Sequence, residues 1–271
     1  MTKDTRRSLL VLSGGHPYEE EPFAALIQFL GRELGGLAKV TWDVEHLIHP
    51  DAEEAVAGGA AEEADALLFY DMGGYTFGDG TVTSRPPSEG FKAAVRRRFA
   101  SGKGAVAIHH ALAGWAEWPE WAEMLGGRFF YQPGQWQGRA VPDSGYRHDV
   151  SYEARVVASH PVTEGLPESF PVTDELYLCQ IDESAVHPLI RARHDFTRDN
   201  FYSAASAVAG AMFSREGWEH AEGSNLVAWW RQVDKAPLVY CQFGDGPETY
   251  SNPHVQRVLV NALRFTSGDT P

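Results

Sequence analysis

The segment GAVAIHHALAG, residues 104–114, runs apolar from Ala105 to Ile108 and then meets two imidazoles, His109 and His110. Imidazole changes charge near neutral pH and serves as general acid, general base or metal ligand. Other apolar runs end in the same way. SGGHPYEE places His16 behind the run Ser8–Ser13, YDMGGYTFGDG places Asp71 behind Ala66–Tyr70, and FGDGPETY places Asp245 and Tyr250 behind Leu238–Phe243. Farther inside the chain, DELY (Asp174–Tyr177) sets two carboxylates side by side. Neighbours on a strand face opposite ways, so one of that pair is expected to reach any site. The candidates are then His109, His110, His16 and Glu175 for proton transfer, and His160, Asp71, Asp245 and Tyr177 for substrate contacts. His16, His109 and His160 are the candidate ligands for zinc or a similar divalent ion. No His-x-x-x-His spacing occurs, so the metal expectation rests on convergence in space alone.

Each feature has a plainer reading. A lone strand-end histidine is commonly structural, and of two adjacent ones at most one is expected to face a site. Gly14-Gly15 either shapes a turn or lets backbone approach a ligand. Asp71 also reads as a turn or capping residue. The glycine-rich stretch 73–80 lacks the Lys-Ser/Thr of a phosphate loop and reads as a loop. Trp115, Trp118 and Trp121 have helix-like spacing and read as core rather than as a sugar platform.

The elements that must position these groups alternate between strand and helix. Ser8–Ser13 is a continuous apolar run, as in a strand buried on both faces. A helix follows, opened by Pro22 behind Glu19–Glu21, with the stripe Phe23, Leu26, Ile27, Leu30 and Leu34, and stopped by Gly35-Gly36. Val40, Trp42 and Val44 alternate as a second strand, and Ala66–Tyr70 is a third. Ser88 caps a helix whose stripe is Phe91, Ala94, Val95 and Phe99. Its last turns carry Arg96–Arg98, which complement the helix dipole. Gly104–Ile108 is the fourth strand. Leu226–Trp230 and Leu238–Phe243 form a closing pair, and Asn252-Pro253 starts a final helix with Val255, Val258, Leu259, Ala262 and Leu263 inward. Residues 128–225 read as insertions on one face. The expected architecture is α/β, a flavodoxin-like three-layer sandwich with a mostly parallel sheet and inserted short strands, one domain over 1–271. In such a sheet ligands bind beyond the carboxyl ends of the strands, where the histidines fall.

Bulk properties narrow the partners. With 37 acidic and 23 basic residues, the formal net charge is -14, which disfavours nucleic acid and anionic membranes. No apolar run reaches membrane-span length. RRSLLVLSGG is too short in its apolar part for a secretion signal and reads as the first strand. Cys179 and Cys241 make neither a disulfide framework nor a zinc ribbon, and a reducing cytoplasm suits them. A small-molecule partner is expected, with a homo-oligomer as a further possibility. The polar-aromatic inventory suits carbohydrate.

Several phrases resemble the ThuA-like (trehalose-utilisation) family, a branch of the class I glutamine amidotransferase-like fold: GKGAVAIHHAL, WAEMLGGRFFYQP, SHPVTEGLPESFPVTDELY, and the closing NLVAWWRQVDKAPLVYCQFGDGPETYSNPHVQRVLVNALRF. In amidotransferases of this fold the corresponding strand ends in a nucleophilic cysteine on a strained elbow, where this chain has His109. The resemblance also implies Gly-His after the last strand in many members, where this chain has Gly244-Asp245. Without a thiolate at the elbow, glutamine amidotransfer is ruled out. The resemblance implies a carbohydrate-catabolic enzyme acting on a disaccharide or keto-sugar by acid–base or metal-assisted chemistry. The alternatives are a non-catalytic carbohydrate-binding or regulatory module, and a purely structural role through oligomerisation.

Overall fold

The computed structural model describes residues 5–36 and 40–269. Its frame is a sheet built from β1 (Thr5–Gly14), β2 (Val40–Ile48), β3 (Ala66–Asp71), β4 (Ala105–Ile108), β5 (Gly145–Val156), β6 (Ser169–Leu178), β7 (His187–Ala192), β8 (Leu226–Val233) and β9 (Ala236–Cys241). The order across the sheet is β6-β5-β7-β8-β9-β4-β3-β1-β2. β1 pairs in parallel with β2 and β3, and β4 with β3 and β9. The parallel half therefore reads β2-β1-β3-β4-β9, the doubly wound flavodoxin-like order, with its switch point between β1 and β3. All five of those strands deliver their carboxyl ends to one rim.

Local signals account for the helices. α1 (Glu20–Gly35) buries Phe23, Leu26, Ile27, Leu30 and Leu34. The chain then passes the short α2 (Asp51–Ala57). α3 (Glu89–Ala100) is capped by the Ser88 hydroxyl, which accepts the Phe91 N–H at 3.2 Å. α4 (Pro119–Leu125) comes next. α5 (Pro253–Thr266) starts where the Asn252 side chain accepts the His254 and Val255 N–H groups. Apolar side chains on the two faces of the sheet form two cores: α1 and α5 cover one face, α3 and α4 the other. Burying each large side chain contributes about 1.5–3 kcal/mol, which is why the stripes dictate the layers. Among the described residues no helix is long and apolar enough to cross a membrane.

Three details differ from the sequence reading. Residues 128–225 do not lie on one face. Their strands β5, β6 and β7 continue the same sheet, antiparallel, beyond β8. The glycine-rich stretch is half of a hairpin, Tyr75–Gly78 paired with Thr81–Ser84. The three tryptophans are buried as expected, but only Trp121 lies within a helix. Trp115 sits in a turn at φ +54°, with Gly73 and Gly74 packed so closely on its ring that a Cβ at either would collide with it.

Candidate functional site

The rim is organised by His109. β4 stops at Ile108, and His109 opens a tight turn at φ +46°, a strained left-handed elbow for a non-glycine residue. Its Nδ1 lies 2.6 Å from the carbonyl of Gln242, just past β9. A carbonyl only accepts, so Nδ1 carries the proton and the ring orientation is fixed. Nε2 then faces the Tyr177 hydroxyl at 2.8 Å, Glu175 at 3.3 Å and Asp245 at 3.6 Å. His148 closes the group, its Nδ1 3.4 Å from Glu175 and 3.7 Å from Asp245. The His148 and Asp245 side chains are 37% and 29% exposed, whereas those of Glu175 and His109 are 8% and 0%. The cluster therefore opens to solvent over His148 and Asp245.

The two carboxylates of DELY divide the work. Glu175 points into the cluster. Asp174, on the other face of β6, accepts the N–H groups of Gly244 and Asp245, each at 3.0 Å. Tyr70 donates its hydroxyl to the Gly244 carbonyl at 2.8 Å. Gly244 has φ +144°, and a Cβ there would lie 3.1 Å from the His109 Cβ. The turn that carries Asp245 is thus held by its backbone.

Charge sorts the imidazoles. Burial acts to lower the His109 pKa, but the hydrogen-bonding Asp245 and Glu175 carboxylates prevail and raise it to about 10. Burial would raise Asp245, yet His109 and His148 hold it well below the usual carboxylate range. Asp245, opposed by burial, raises His148. His110 goes the other way: burial, then the neighbouring His109 and His16, push it well below the ordinary imidazole value. Metal-free protein is therefore expected to show His109 doubly protonated at pH 8 and His110 neutral, read by nitrogen chemical shifts. Because the folded-state pKa of His109 lies above the ordinary 6.5, its contribution to stability is fully present below that pH. It is lost as pH rises through about 10. The denaturation midpoint measured in chelator should fall across that window, and a His109→Gln variant should lack that fall.

The structure brings most of the expected residues together. His110 Nε2 lies 2.7 Å from His16 Nδ1, and the His109 and His110 rings are 4.4 Å apart. Residues 16 and 109 thus share the rim, bridged by His110. Of the two adjacent histidines, His109 enters the cluster and His110 turns to His16. Two residues belong elsewhere. His160 caps the Pro161–Thr163 turn and packs on Trp230 and Phe265. Phe265 adjoins Thr266, whose carbonyl accepts the Gly104 N–H ahead of β4. His160 is therefore at the opposite end of the strands, away from the His109 cluster. Asp71 is 1% exposed and bonded at 2.8 Å to His49 Nε2 across the side-chain-free Gly14. It braces the rim from below instead of meeting substrate. Sequence reading missed His148, whose direction is set by a bulge between Arg147 and Val150 with Asp149 at φ +54°. It also missed His49, and Gln242, which acts through its carbonyl.

The donor set fits a divalent cation. His109, Glu175 and Asp245 each offer a ligand atom, all within 4.8 Å of one another, and His148 stands beside both carboxylates. Mixed imidazole and carboxylate ligands suit zinc or a related transition ion. The Gln242 carbonyl on the far nitrogen of His109 is the outer-shell partner such a ligand needs. Of the expected ligands His16, His109 and His160, only His109 belongs to this set. No thiolate stands on the rim. Cys179 and Cys241 are buried, and burial pushes both thiols up to about 12.

The sequence matches the family described as ThuA, trehalose utilisation, over residues 9–266. The chain belongs to the ThuA family. No curated protein matches it. This ThuA chain is similar in structure to a ThuA-like protein of Parabacteroides merdae, 14% identical, with a TM-score of 0.64 over 98% of this chain and 92% of that one. A ThuA-like protein of Bacteroides uniformis is 17% identical, with a TM-score of 0.62 over 98% and 93%. A β-galactosidase of Rahnella matches 96% of this chain with 31% of its own length, at 9% identity and a TM-score of 0.52. At these identities the likeness is one of fold.

Proposed function

We propose that this ThuA chain is a carbohydrate-catabolic enzyme acting on a disaccharide or keto-sugar at the His109–Glu175–Asp245–His148 cluster. The observation that carries the reading is convergence: four segments far apart in sequence deliver two imidazoles and two carboxylates to one solvent-open point on the rim. The family description supports a sugar as substrate, and the two free, buried thiols support a reducing, cytoplasmic setting.

The side chains divide the proton chemistry. Asp245 is kept ionised by two imidazoles and is partly exposed, so it accepts a hydrogen bond from a sugar hydroxyl placed over it and offsets positive charge at the site. His109 holds its proton against the carboxylates and, with the Tyr177 hydroxyl, donates to oxygen as charge develops there. Glu175 is buried between His109 and His148 and keeps both rings oriented. Where a divalent ion takes the place of the proton on His109 Nε2, His109, His148, Glu175 and Asp245 would hold it, and it would supply Lewis-acid polarisation of a carbonyl or hydroxyl oxygen in place of that acid. These steps suit enolisation or hydrolysis and need no covalent sulfur chemistry. A non-catalytic sugar-binding module gives no reason for a strained elbow, nor for carboxylates packed on imidazoles.

The test pairs metal analysis with a substrate screen. The purified protein is titrated with zinc and manganese, then assayed against disaccharides and their keto derivatives. Stoichiometric binding together with turnover that disappears in folded His109→Ala supports the reading. Turnover unaffected by His109→Ala would remove the cluster from the chemistry.

A further inference from the structure

The mechanism above leaves one apolar feature at the mouth of the cluster without a task. Among the described residues, the two most exposed large hydrophobic side chains are sequence neighbours, Met212 at 49% and Phe213 at 58%. Apolar residues scattered singly on a surface are ordinary, but an adjacent pair beside a polar site calls for a reason. The Phe213 ring lies 6.3 Å from the ring of His148, edge to face at 81°. It therefore borders the side on which the cluster meets solvent, over His148 and Asp245.

The pair is held in place there. Phe213 has φ +59°, in the left-handed region that a bulky residue rarely adopts. Such strain persists only where the surroundings impose it, and it gathers at functional sites. Here the imposing group is Tyr146. Its hydroxyl accepts the Phe213 N–H at 2.9 Å and lies 3.7 Å from the Met212 sulfur. The strap is also tied at both ends: the Ala211 N–H donates to the Ser206 carbonyl at 2.8 Å, and the Ser203 N–H to the Ser214 carbonyl at 2.9 Å. Tyr146 and His148 both lie on β5, with their rings 5.1 Å apart. One strand thus brings an imidazole to the cluster and fixes the backbone that presents Phe213 beside it. Tyr202 packs against the Phe213 ring at 5.5 Å and lies under the Arg215 guanidinium at 4.5 Å.

We infer that Met212 and Phe213 form an aglycone shelf, taking an apolar, preferably aromatic, substituent on the anomeric oxygen of a sugar whose ring lies over Asp245 and Glu175. The inference rests on the sugar-chemistry reading above and chooses within it: the substrate is a glycoside of an apolar group, not a disaccharide. A phenyl ring has no hydrogen-bonding group and a thioether only a weak acceptor, and the Tyr146 hydroxyl beneath them is spent on the strap. A second sugar on this shelf would turn its hydroxyls to side chains that cannot pair with them. An apolar ring gains by covering both the phenyl face and the polarisable sulfur. The strap, and not a strand end, then sets the preference for what the sugar carries.

The test is calorimetric titration of the full chain with phenyl glucoside and, separately, methyl glucoside, each as both anomers, on wild type, Phe213→Gly and Phe213→Leu. Glycine takes a φ of +59° without strain, so Phe213→Gly removes the ring and keeps the strap, and leucine restores apolar surface. Wild type is expected to bind one phenyl anomer about tenfold more tightly than its methyl counterpart, a difference of about 1.4 kcal/mol. In Phe213→Gly that preference should shrink to about twofold or less, with methyl glucoside bound within about twofold of wild type, and Phe213→Leu should recover part of it. No binding or no preference in wild type, a preference retained in Phe213→Gly, or equal losses for both glucosides would overturn the shelf. Maltose bound more tightly than phenyl glucoside, with that advantage lost in Phe213→Gly, would overturn the aglycone in favour of a second sugar. A wild-type dimer that sediments as a monomer in Phe213→Gly would overturn it in favour of a second copy of the chain. The enzymatic reading is judged separately by turnover in His109→Ala. Turnover that depends on His109 without any phenyl preference would keep the enzyme and remove the shelf. Phenyl preference lost in Phe213→Gly, without any turnover in wild type, would keep the shelf and remove the enzyme.

Discussion

Glu175→Gln is expected to lower sugar turnover by at least about a hundredfold and to abolish tight zinc binding while the protein stays folded. The substitution keeps the size of the side chain and removes its charge. Glu175 lies 3.3 Å from His109 Nε2 and 3.4 Å from His148 Nδ1, so one amide replaces the anion that both rings face. Burial then works on His109 with one carboxylate fewer against it, and the His109 titration should move down from about 10. Three readouts separate a chemical role from a packing role: steady-state rates, calorimetric zinc titration and the His109 nitrogen shift. Glu248→Gln, exposed on the nearby Pro247–Tyr250 helix, serves as the control with unchanged rate. Wild-type zinc affinity and rate in Glu175→Gln would show that the cluster is structural.

Arg98→Met should cost about 3 kcal/mol of stability through the carbonyls it leaves without a donor, read from urea unfolding midpoints. Arg96 and Arg97 are exposed and pair with Glu120 and Glu62. Arg98, third in the same run, is fully buried. Its Nε donates to the Gly104 carbonyl at 2.8 Å. Its Nη1 donates to the carbonyls of Ala61 and Ala64, and Nη2 to that of Asp65 at 3.3 Å. Burial lowers its pKa to about 10, so it remains charged at neutral pH. Methionine fills the space and donates to none of those acceptors; the Ala64 carbonyl keeps Lys103 Nζ at 3.4 Å, and the others lose their side-chain donor. Gly104 immediately precedes β4, the strand that ends at the His109 elbow, so the loss should propagate to the site. A change below about 1 kcal/mol would mean that water replaces the guanidinium.

The parallel half of the sheet was legible because most of its strands are continuous apolar runs, β2 alternates, and two of its helices carry their own caps, Ser88 and Asn252. Strand ends in that half share an edge by topology, so His16, His109, His110 and Asp245 could be placed on one rim from sequence. The antiparallel half was not legible in the same way. Its strands are amphipathic and joined by irregular connections, and nothing local says whether they extend the sheet or cover it. His148 was hidden by a bulge that alternation cannot register. His160 was misplaced because its position depends on a turn packing against Trp230 and Phe265, a contact visible only in three dimensions. Asp71 was misread because its partner, His49, reaches it over a glycine on an intervening strand.

The grip of Asp174 on the Gly244 and Asp245 amides has a consequence for how this rim diversifies. The peptide is clamped by a neighbour's carboxylate, so the identity of the side chain at 245 does not decide where the loop lies. That position behaves as a socket into which a carboxylate or an imidazole can be fitted. A change of donor there would retune metal preference or proton affinity at a single point and leave the scaffold unaltered.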